Sequence, residues 1–188
     1  MTSLPEKNSI LKGMIIYMEK NPLIREEFND FKFVQQTLFD TVLLAIPDFL
    51  EEIPEEEKRA KLPPSAQDHM FVFSNKRRDM LFQMTMENNS NSVMDAKTLL
   101  QQIGIQVSSS AAGFQLFGSG TKDVNKTTVA CMNYKYNTPN GNKYVILFIF
   151  LVDEKYFMGN FIVPFECQAE CTNIFLLMID TLKLSFEN

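Results

Sequence analysis

Residues Tyr144–Val152 read YVILFIFLV, a run of apolar and aromatic side chains with no interruption. The run is too short to cross a bilayer as a helix, which takes about 20 residues. Its β-branched and aromatic content marks a strand. Polar turns flank it, Pro139-Asn140-Gly141-Asn142 before and Asp153-Glu154-Lys155 after. Both are short enough to make its neighbours antiparallel hairpin partners. An antiparallel strand ordinarily keeps one wet face, so a strand that is apolar on both must lie centrally, with cover above and below. This requirement predicts an α+β domain: an antiparallel sheet of about six or seven strands with helices on both faces, in α/β/α layers.

Strand and helix periods along the chain supply the other parts. Phe33–Phe39 and Thr41–Ile46 read as a pair of strands, and 70–74 and 80–86 as another. Phe114–Phe117, Thr127–Tyr136 and Tyr156–Val163 add three more. Ile10, Leu11, Met14, Tyr17 and Met18 form one apolar stripe of a helix over 9–20, which Asn21-Pro22 ends. A second helix is expected from a cap at Asn91 or Ser92 to Ile103, with Gly104 as its C-terminal residue. A third covers about Ala169 to Leu182. Residues 1–31 are expected to be a helical arm and 32–188 a single domain.

Composition narrows the chemistry. The chain has 188 residues and a formal charge of −5, which disfavours nucleic acid and anionic membrane as partners. At this size roughly 70% of the surface of the open chain is buried on folding, so neither a metal nor a disulfide is required. Cys131, Cys167 and Cys171 suit a reducing compartment, and no secretory signal is legible, so a cytoplasmic location is expected. Cys167 and Cys171 share a helix face at a spacing of four, yet no second Cys/His pair completes a tetrahedral metal site.

Other groupings have ordinary explanations. Glu51, Glu52, Glu55, Glu56 and Glu57 crowd one connection without the alternating ligands and glycine of a calcium loop. Lys76-Arg77-Arg78 is a hairpin tip. Gly118-Ser119-Gly120 lacks the lysine of a phosphate loop and is read as a turn. Met80, Phe82, Met84 and Met86 share a strand face and are assigned to the core. His69 is the sole histidine, so any base-assisted nucleophile must use it, and no nucleophile elbow accompanies it. No catalytic, cofactor or metal site is assigned.

Two stretches carry a family resemblance: VLLAIPDFLEEIPEEE (Val42 to Glu57), and YVILFIFLVDEKYFMGNFIVPFE with IFLLMIDTLKLSF (Tyr144 to Phe186). With the segments between them, the chain from Phe33 to Phe186 resembles the PsbP/Mog superfamily, which includes the photosystem II extrinsic protein PsbP, the Ran-binding Mog proteins and chaperones of secreted toxins. The resemblance implies a non-enzymatic binding, assembly or chaperone role with a protein partner, and transfers no site residue. The alternative is a carrier or hydrolase of a small hydrophobic ligand, housed among the 17 Phe and 11 Met. The N-terminal stripe must be hidden by its own domain or by a second copy, which raises the expectation of a homodimer.

Overall fold

A computed structural model describes residues 28–61, 70–88 and 94–185. The helix expected over 9–20, the homodimer contact assigned to it, His69 and the caps at 91 and 92 all lie outside those residues. The chain runs β1 (Phe33–Leu38), β2 (Val42–Pro47), β3 (Glu51–Glu52), α1 (Glu55–Lys61), β4 (Met70–Ser74) and β5 (Leu81–Asn88). It continues through α2 (Ala96–Ser110), β6 (Gln115–Val124), β7 (Thr127–Thr138), β8 (Gly141–Val152) and β9 (Lys155–Pro164). After a 3-10 turn at Phe165–Cys167 come α3 (Gln168–Asp180) and the short β10 (Lys183–Leu184).

Seven strands pair antiparallel in the order β3-β4-β5-β9-β8-β7-β6. Strands β6 to β9 form a meander joined by tight turns. Asn125-Lys126 and Asp153-Glu154 both hold positive φ at consecutive residues, as right-twisted two-residue hairpins require. Strand β8 is central, as its sequence demands, and its side chains divide between two cores. Val145, Leu147 and Ile149 pack with Ala130, Met132 and Tyr134 of β7 beneath Leu100 of α2. Ile146, Phe148 and Phe150 pack with Leu44 and Ile46 of β2 and Phe175 and Ile179 of α3.

The cover differs from the expected α/β/α layering. The first face carries α2, whereas the second carries a separate three-stranded sheet, β1-β2-β10, together with α3. Strands β1 and β2 do not extend the main sheet. Their hairpin turns Val42, Leu44 and Ile46 down onto it, and β10 pairs with the far side of β2, Leu184 opposite Val42. Thr181 ties the end of α3 to β2, its hydroxyl accepting a 2.9 Å bond from the Ala45 amide. At the N-terminal end Phe28 and Phe31 meet the ring of Phe49 edge-on.

Two local expectations also change. Helix α2 begins at Ala96 behind an Asp95 cap, whose carboxylate accepts from the Thr98 amide at 2.9 Å. It runs to Ser110, well past Ile103, so Gly104 lies in its interior. There a Cβ would meet the Met132 sulfur at 3.3 Å, so the bare glycine lets the helix settle onto the sheet. Gly118-Ser119-Gly120 is not a turn but part of β6, beside an irregularity where the pairing skips Phe117.

Candidate functional site

Helix α2 rests over β7 and β8 and leaves the outer margin of the sheet uncovered. The result is a trough of about 620 Å³ between α2 and β6. Leu100, Gly104 and Ile105 form its helical wall, Phe114 and Leu116 the opposite wall, and Met132, Ser119 and Gly120 its floor. The small residues Gly118, Ser119 and Gly120 of β6 help explain the trough, since none of them is large enough to fill it. Two large apolar side chains open onto it: Ile105 is 71% exposed and Leu116 is 50% exposed. Strand β6 is also the last strand of the sheet, paired only with β7 among the described residues.

A second hollow of about 550 Å³ lies at the start of α2, against the hairpin turns. Asp95, Asp153, Lys97 and Lys126 line it together, so it offers no single sign of charge to a ligand. Its N-cap carboxylate is already engaged by Thr98 through amide and hydroxyl, contacts that hold the Asp95 pKa below its ordinary value.

Of the candidate groupings singled out from sequence, only Gly118-Ser119-Gly120 reaches a hollow, with Ser119 and Gly120 lining the trough. Cys167 stands just before α3 and Cys171 lies in its first turn, both buried in the core with Phe175. Cys131 lies on β7, and burial pushes its thiol up to about 12, the opposite of what a nucleophile needs. Met80, Phe82 and Met84 are fully buried and Met86 packs beside them. The acidic connection is internally compensated: Lys58, 4% exposed, donates to Glu52 at 2.8 Å and Glu55 at 2.9 Å. Arg78 of the basic tip pairs with Glu57 at 2.8 Å. Among the described residues no three His, Cys, Asp or Glu side chains come together as metal ligands.

The aromatic interior is filled by its own rings. Phe82 stacks on Phe148 at 5.9 Å, Phe150 on Phe157 at 5.1 Å, and Phe148 meets Phe175 at 5.4 Å. Sequence reasoning missed the trough because its lining comes from α2, β6 and β7, none of which announces it alone. The signal that was present is the uncharged glycine pair of β6 between two apolar residues, Leu116 and Phe117, and the first charge at Lys122.

No protein-family model matches this chain, and no curated protein matches it. Solved structures do. Cyanobacterial PsbP from Synechocystis sp. PCC 6803 aligns over 89% of this chain and 98% of its own, with TM-score 0.58 and 8% identity. This is a PsbP-like fold. LpqN of Mycobacterium tuberculosis, involved in cell envelope biogenesis, shares it at TM-score 0.54 and 12% identity, over 83% of this chain and 92% of that one. PA94, a protein of unknown function from Pseudomonas aeruginosa, does so at TM-score 0.51 and 11% identity, over 80% and 96%. The PsbP-like fold supplies the scaffold and leaves function to the surface. On this scaffold, among the described residues, no helix is long and apolar enough to cross a membrane.

Proposed function

We propose that this PsbP-like domain is a non-enzymatic protein-docking module of the assembly or chaperone type, and that the trough between α2 and β6 is its docking site. The apolar trough carries the reading. Ile105 and Leu116 open onto one hollow beside a strand edge that is unpaired among the described residues, and large apolar side chains grouped in that way commonly mark interaction sites. The cysteines support a cytoplasmic location, since all three remain thiols.

A photocrosslinking side chain placed at Ile105 in the native host tests the proposal. It should capture one defined protein, while the same group at Leu177, exposed on α3, captures none. Equal labelling from both positions would defeat the reading. The small-ligand alternative draws on the same apolar lining and requires a copurified molecule in native mass spectra, one displaced by Leu116→Lys.

A further inference from the structure

We propose that the outer edge of β6 takes up an extended segment of a partner protein as an eighth strand, its apolar side chains at alternate positions seated in the trough. This rests on the docking reading above and adds the conformation and chemistry of what docks.

The backbone argues first. Strand β6 is ten residues long, and its outer row of N–H and C=O groups faces no strand among the described residues. Such a row is a template for strand addition unless it is guarded by charge, proline, a bulge or brevity. The opposite edge is guarded: β3 is two residues, Glu51 and Glu52. The β6 edge is less guarded: its pairing is irregular at Phe117, but Phe114–Thr121 holds neither charge nor proline, and the next residue, Lys122, is engaged by Asp180.

The side chains argue second. Leu116, Ser119 and Thr121 lie opposite Tyr134, Met132 and Ala130, all on the α2 side of the sheet. An added strand would therefore turn every second residue toward the trough, beside Ile105 and Leu116. Five or six residues would span it, at about 3.3 Å each.

A second copy of this chain fits poorly. In an antiparallel β6–β6 dimer of this chain, both α2 helices would stand on one face, about 19 Å apart at ordinary strand spacing. Packed helices lie 8–10 Å apart, so the trough would stay open and Ile105 uncovered.

The test uses the full chain and an acetylated, amidated peptide, Lys-Thr-Val-Thr-Ile-Thr-Val-Thr-Lys, with hydrogen exchange as the readout. Saturating peptide should slow exchange of the amides between Leu116 and Thr121 about tenfold or more while leaving α3 unchanged. Replacing Val, Ile and Val by Asp, or N-methylating alternate residues, should abolish the protection. Ile105→Lys and Leu116→Lys, both at exposed positions, should weaken binding about tenfold without loss of fold. Binding that survives N-methylation, or protection confined to α2, would overturn strand addition while leaving trough docking intact. Concentration-dependent protection of β6 in the peptide-free protein would overturn it in favour of a second copy. If the peptide fails to bind, the partner captured at Ile105 decides: unprotected β6 amides in that complex refute the strand, and protected ones support it. Failure of both the peptide and the Ile105 capture would overturn the proposal together with the docking reading.

Discussion

Phe148 occupies the place where Gly159 would carry a side chain. The two residues are paired across β8 and β9, and a Cβ on Gly159 would lie 2.1 Å from the ring's Cζ. The glycine is thus the socket for the central ring of the sheet, which also stacks on Phe82. Gly159→Ala must push that ring from a filled core, and overpacking of this kind costs about 1–3 kcal/mol. Chemical denaturation should show the loss, and Phe148→Leu in the same chain should recover part of it, giving a non-additive double-mutant cycle.

Tyr144 is the polar counterpart of that socket. Its hydroxyl accepts from the Asn133 amide at 2.7 Å and lies 3.0 Å from the Thr172 hydroxyl, tying β7, β8 and α3 together inside the protein. Tyr144→Phe removes the shared atom and leaves two buried polar groups short of a partner. The expected cost is about 1–3 kcal/mol, read as a lower denaturation midpoint. Thr172→Val should cost less, because Asn133 keeps its acceptor.

Lys58 makes the acidic connection pH-sensitive at both ends. Burial pulls its pKa down, but hydrogen bonds and charge from Glu52 and Glu55 outweigh this and leave it above 10.5. A raised folded pKa stabilises fully below the unfolded value and is lost as pH climbs through the folded one. Glu55 behaves oppositely: its bond with Lys58 lowers it from 4.5, so its contribution holds above that value and disappears in acid. The gap in melting temperature between the native chain and Lys58→Met should therefore be widest between about pH 5 and 10 and narrow beyond either limit. A gap that is flat across the range would refute this account.

Cys131 should resist alkylation. With its thiol raised to about 12, almost none is thiolate at pH 8. Iodoacetamide should modify it about a hundredfold more slowly than a free cysteine, measured by mass spectrometry of the native protein. Unfolding in denaturant should restore the ordinary rate.

How far the fold was legible depends on whether the information was local. The two-faced run at Tyr144–Val152 announced a central strand, and Asn140-Gly141 announced its hairpin, where Gly141 has φ +107°. Local patterning could not say which sheet Val42, Leu44 and Ile46 join, because an apolar alternation looks the same in either. That choice is made by β10, far along the chain, which pairs with β2. The glycines misled for a related reason. Gly104 and Gly118-Ser119-Gly120 look like breaks in the sequence pattern, whereas Gly104 permits α2 to approach Met132 and Gly118 sits beside Asn133 within a strand. The trough was hidden in the sequence because it is defined by side chains that are missing.

The wiring of the large sheet also sets an order of assembly. Strands β6 to β9 are consecutive and meet through short turns, so each zips onto the last at small loop-closure cost. Strand β5 must find β9 across a long excursion, Phe82 opposite Phe161. The meander should therefore form first and recruit the N-terminal half afterwards. Pulsed hydrogen labelling during refolding should see β7 and β8 become protected before β4 and β5. Until they arrive, β9 is itself an open margin, so the nascent meander has an exposed border on each side, at β9 and at β6.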